Sequence, residues 1–258
     1  MSMPSPGRAS GAARGWSMHP PPQQLARITG VLFILTFITS IAAVLLYDPV
    51  LNHTDYITGA GSDTRVELGA LCEVFLAITN IGTAVALFPV LKRQNEALSL
   101  SYVASRIVES TFIVVGLISL LTVVTLRDDL AGAAGTDPGT LTTVGRGLVA
   151  IHDWTFLIGP GFCVGIGNGL ILGYLMYRSG LMPRRLPLFG LIGGPLIFAS
   201  SIAVLFGVYE QTDATHFLFS IPEIIWELSL AIYLTVKGFK PDAPILQDHG
   251  NTGLAAVR

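Results

Sequence analysis

Phe217–Lys237, FLFSIPEIIWELSLAIYLTVK, is an apolar run that nonetheless carries two acids, Glu223 and Glu227. A helix rises about 1.5 Å per residue, and about 20 apolar residues cross the hydrocarbon layer, so this run reads as a membrane span. Residues four apart share one helix face. A charged carboxylate at mid-bilayer costs about 2.5–3.5 kcal/mol. The face holding both acids must therefore turn towards protein or water, and a polar site inside the membrane follows.

The rest of the chain has the same character. Its 258 residues are 51% hydrophobic and 12% charged, with a mean hydropathy of +0.64. Soluble domains are about a quarter charged. The expected fold is all-α: a polytopic membrane protein built as a six-transmembrane-helix bundle. The spans read as Leu25–Leu46, Val66–Leu91, Leu98–Leu126, Leu148–Tyr177, Pro187–Tyr209 and Phe217–Lys237. The second, third and fourth are longer than a crossing needs, so they must tilt, kink or project.

Three regions follow. Residues 1–22, rich in Pro, Ser, Gly and Ala, read as a disordered N-terminal tail; 23–240 form the transmembrane domain, and 241–258 read as a disordered C-terminal tail. Ser40-Ile41-Ala42 has the look of a signal-cleavage site, but the apolar run is longer than a signal core and is expected to stay. Basic residues orient the bundle. With the N-terminus cytoplasmic, one side holds eleven of the fifteen Lys and Arg residues, the other holds Arg65, Arg127 and Arg146, and Arg106 lies within a span. A cell-membrane protein with both termini cytoplasmic is the expectation. Asn52-His53-Thr54, in the first outer loop, matches a glycosylation acceptor pattern.

Composition also excludes. A net charge of −2 gives no basis for nucleic acid as a partner. Cys72 and Cys163 both fall in apolar runs, which argues against a disulfide framework and a cysteine metal cage. No cofactor motif is present and no metal site is expected. The expected partners are the lipid bilayer, a small-molecule or ion ligand, and, on one alternative, another membrane protein.

Polar residues inside the spans are the site candidates. Counting from the basic anchors puts Glu227 and Asn80 near mid-membrane, Glu223 in the outer half, Glu73 at the outer edge, and His152 and Asp153 at the outer mouth. Arg106 and Glu109, one turn apart, read as a structural ion pair in the inner half. Asn168 reads as an interhelical hydrogen bond. The fourth span breaks at Gly159-Pro160-Gly161 and then carries Gly161, Gly165, Gly169 and Gly173, a smooth stripe suited to close helix packing. If the helices adjoin, Glu73, Asn80, His152, Asp153, Glu223 and Glu227 converge on one cavity open to the outside.

ARITGVLFILT at Ala26–Thr36, the R-x-x-E of Arg106–Glu109, IHDW at Ile151–Trp154, GYLMYRSGLMPR at Gly173–Arg184 and PEIIWELSLAIYLTVKGF at Pro222–Phe239 occur in that order. Together they resemble the bacterial membrane proteins catalogued as domain of unknown function 4386, over most of residues 22–240. The resemblance implies an integral membrane protein and brings no activity with it.

The favoured functional reading is therefore binding or transport of a proton, ion or small molecule at a Glu-rich intramembrane site. An accessory subunit without chemistry is the alternative. An intramembrane metal-dependent hydrolase using His152, Asp153, His216 and the glutamates is the least favoured, because the histidines are scattered and no HExxH pair is present.

Overall fold

The computed structural model describes residues 20–53, 55–59, 62–130 and 137–247. Thr54 of the acceptor pattern, and residues 1–19 and 248–258 of the expected tails, lie outside them. Among the described residues there is no strand, and six helices are long and apolar enough to cross a membrane: Pro22–Leu46, Asp63–Leu91, Glu96–Leu130, Pro138–Ser179, Arg185–Leu205 and Ala214–Val236. Each packs on the next, and the first packs on the sixth, closing a ring. We call the end where the first span begins and the sixth finishes the terminal end, and the opposite one the loop end.

Several boundaries differ from the expected ones. The fifth span stops at Leu205 instead of Tyr209, just before Gly207 turns the chain with a φ of 70°. Beyond 240, where a disordered tail was expected, Pro244–Gln247 is a short helix with Ala243 and Ile245 buried in the core. Those two apolar side chains fill space against the bundle, which ties down chain that composition alone leaves free.

The over-long fourth span solves its own problem by widening. Leu157–Cys163 and Gly165–Leu172 are π-helical, with backbone bonds reaching one residue further than in an α-helix. Pro160 donates nothing to this ladder, and the surrounding glycines let the backbone relax. Neighbouring spans bond two of its carbonyls: Ser105 Oγ donates to Cys163 O at 3.1 Å and Trp226 Nε1 donates to Asn168 O at 2.9 Å. In lipid such bonds are required, since no solvent replaces them.

Glycines on the fifth span draw its neighbours inward. A Cβ on Gly194 would stand 2.5 Å from Gly165 O, and one on Gly193 would stand 2.5 Å from the backbone nitrogen of Glu223. These contacts bring the fourth and sixth spans close on either side. Gly194→Leu is expected to lower stability by at least the 1–3 kcal/mol typical of overpacking, read as a lower unfolding midpoint in detergent. Truncation of the exposed Ile192 on the same helix should change little.

The bundle is packed unequally along its length. At the terminal end a core that includes Leu25, Leu87, Tyr102, Leu175, Trp226 and Leu234 draws on the first, second, third, fourth and sixth spans. At the loop end the core of Ala43, Tyr47, Tyr56, Val66, Leu120 and Val124 involves the first three spans and the first loop, with the fourth packed beside it. The fifth and sixth spans contribute nothing to that second core. Two cavities are lined in part by these spans and the loop that joins them.

Candidate functional site

At mid-bundle, side chains from four spans meet. Arg106 on the third span is 2% exposed; it donates to Glu109 Oε2 at 2.8 Å and to Asn80 Oδ1 at 2.6 Å. Asn80 Nδ2 closes the triangle by donating to Glu109 Oε1 at 2.8 Å. A buried charge is tolerable when paired and hydrogen-bonded in this way. The Arg106 guanidinium also lies 5.7 Å from the centre of the Phe33 ring.

Opposite this triad are the two acids of the sixth span. Asn168, from the π-helical stretch, donates its amide to Glu227. Glu223 is 2% exposed, and neither of its carboxylate oxygens has a hydrogen-bond partner among the described residues. Neither acid has a basic partner among the described residues, since Arg106 is taken by Glu109. Both line a cavity of about 460 Å³ with Asn80, Arg106, Glu109, Pro160 and a long apolar wall from the first span.

A second cavity of about 830 Å³ lies at the loop end and shares Val44 and Phe156 with the first. It holds Glu73, His152 and Asp153. Tyr47 donates its hydroxyl to Glu73 Oε2 at 2.9 Å, while His152 stands 3.9 Å from Glu73 and 3.6 Å from Asp153. Tyr47 lies just past the first span; burial, then the adjacent Glu73, pushes its phenol well above the usual tyrosine range. Among the described residues both ring nitrogens of His152 lack a hydrogen bond, and the ring lies between Tyr47 and Phe156.

The six site candidates thus fall into two adjoining groups where one was expected. Asn80, Glu223 and Glu227 line the inner cavity; Glu73, His152 and Asp153 line the vestibule. Arg106 and Glu109 stand level with Asn80 and belong to the inner lining, in addition to pairing with each other. His216 is apart from both groups, its Nδ1 2.8 Å from Ser200 Oγ. Among the described residues no group of three His, Cys, Asp or Glu side chains is placed to hold a metal ion. Tyr47 was missed by sequence reasoning, because a tyrosine at the end of a span reads as an interfacial anchor and only its contact with Glu73 says otherwise.

No curated protein and no solved structure matches the chain. A family profile described as Domain of unknown function (DUF4386) matches residues 28–238, from the first turns of the first span to the end of the sixth. With nearly the whole bundle inside that match, and with the Arg106–Glu109 pair and both sixth-span acids among the matched residues, the chain belongs to the DUF4386 family of multi-pass membrane proteins.

Proposed function

We propose that this protein binds a small cationic molecule in the inner cavity, with Glu223 and Glu227 as the groups that receive it, as the binding step of a carrier or receptor. One observation supports this reading above the rest: Glu223 is buried, lines the cavity, and offers two oxygens that have no hydrogen-bond partner among the described residues. A buried carboxylate without a partner is costly, and a proton or a cation must balance it. The triad beside it is internally neutral and adds donors and acceptors without claiming either acid. On the orientation set by the basic residues, the protein lies in the cell membrane with both termini cytoplasmic and its vestibule facing outwards.

Proton and ligand would compete for the same two carboxylates, so affinity should rise with pH. Equilibrium dialysis of radiolabelled hexylammonium against the detergent-purified protein tests this. Saturable binding at about pH 8, where a free carboxylate is ionised, should weaken steadily towards pH 5. Glu223→Gln removes a charge-assisted bond of about 1.5–3 kcal/mol, a loss of roughly ten- to hundredfold in affinity. Asp153→Asn, in the vestibule, should bind as the unaltered protein does. Absence of saturable binding at about pH 8, or equal binding by Glu223→Gln there, would overturn the proposal.

A further inference from the structure

Resting on that reading, we propose that the cation is the head of a single-chain amphiphile, and that it reaches the acids sideways from the bilayer, through a gap between the first and sixth spans. The two spans are clamped at the terminal end. Gln23 Nε2 donates to Phe239 O at 2.6 Å and Gln23 Oε1 accepts from Phe239 N at 3.0 Å. Two turns further in, Gly30 is so close to Ala231 and Thr235 that a Cβ there would collide with both.

Beyond that clamp, residues of both spans line the inner cavity. Thr36, Phe37, Ser40, Ile41, Val44 and Leu45 form one wall of the inner cavity, running about 14 Å at 1.5 Å per residue. Ile41, Val44 and Leu45 are also 57%, 52% and 65% exposed. Side chains that line a cavity and face the outside at once mark its mouth. On the sixth span Ile224 does the same, 37% exposed and adjacent to Glu223. The mouth therefore opens along the apolar flank of the bundle, where acyl chains lie, and its floor is acidic.

Charge and shape select the occupant. The groups facing Glu223 are Glu227 on its own helix and Arg106 and Glu109 from the third span. Arg106 and Glu109 cancel, so the floor carries two acids and no free base. An anionic or zwitterionic head would meet repulsion there, and an uncharged one would leave the acids unbalanced. A protonated primary amine donates three hydrogen bonds, enough to reach both carboxylates. A cavity of about 460 Å³ is in the range that takes drug-sized ligands; it has room for one chain, not for the two of a bilayer phospholipid.

The test uses the full chain in phosphatidylcholine vesicles and a dodecylamine that carries a photoreactive diazirine midway along its chain. Labelled residues are located by mass spectrometry. Labelling should be saturable, centred on Phe37–Leu45 and Ile224, and suppressed by excess dodecylamine but not by dodecanol. It should fall about tenfold in Glu223→Gln and in Glu227→Gln, whereas diffuse labelling of the lipid-facing Leu71 and Ile118 stays constant. Saturable labelling confined to His152, Tyr209 and Gln211 would overturn the lateral route, showing entry through the vestibule while leaving the acid site intact. Equal competition by dodecanol would overturn the choice of an amine. If hexylammonium binds saturably in detergent but the long amine labels nothing saturably, the amphiphile falls and the cation site stands; if neither binds, both fall.

Discussion

Arg106→Met should destabilise the bundle by about 3–5 kcal/mol, the largest single effect expected anywhere in the chain. The magnitude is that of breaking a buried ion pair by removing one partner. Three bonds tie Arg106, Glu109 and Asn80 into a closed triangle. Without the guanidinium, Glu109 is a buried charge with only Asn80 beside it, and Asn80 Oδ1 loses its donor. Ordinary interhelical hydrogen bonds in membranes average about 0.6 kcal/mol, so a loss of several kcal/mol identifies the charge as the cause. The double variant Arg106→Met, Glu109→Met should recover most of it, because an apolar pair of similar volume often matches a buried salt bridge. Unfolding midpoints in a denaturing-detergent titration, arranged as a double-mutant cycle, check this. Single variants within 1 kcal/mol of the unaltered protein would mean that the triad does not hold the third span in place.

Glu223→Gln should do the opposite: weaken hexylammonium binding roughly ten- to hundredfold and leave stability unchanged or higher. Glu223 makes no side-chain hydrogen bond among the described residues, so its replacement breaks none there, and an uncharged amide is cheaper to bury than an unpaired acid. A structural acid behaves differently: its removal strips a partner from some other group and lowers the unfolding midpoint. Glu227→Gln is intermediate, since its Oε1 can still accept from Asn168. It should fold normally and bind about tenfold more weakly. A Glu223→Gln protein that unfolds more readily by a kcal/mol or more would reassign Glu223 to packing and remove the main support for a binding site.

Much of the fold is legible without coordinates because its signals are local. An apolar run of about 20 residues must be helical to satisfy its backbone in lipid. Arg106 and Glu109 at i, i+3, and Glu223 and Glu227 at i, i+4, share faces by helix geometry alone. The stripe from Gly161 to Gly173 announces close packing, though not which helix packs there. The π-helical turns were less legible. Pro160 foretells a break, but widening the helix over Leu157–Leu172 depends on Ser105 and Trp226 being in place to take up carbonyls.

The amino-acid order by itself determined six crossings, the acidic face of the last one, and the pairing of Arg106 with Glu109, since each follows from spacing within one helix. Only the tertiary structure decided that Asn80 joins that pair, that Glu73 and His152 occupy a separate vestibule, that Glu223 has no hydrogen-bond partner among the described residues, and that the first and sixth spans line one cavity above their clamp. These are distances between helices, set by which small residues let two backbones approach and where the apolar cores stop. Periodicity within a single helix carries no record of them.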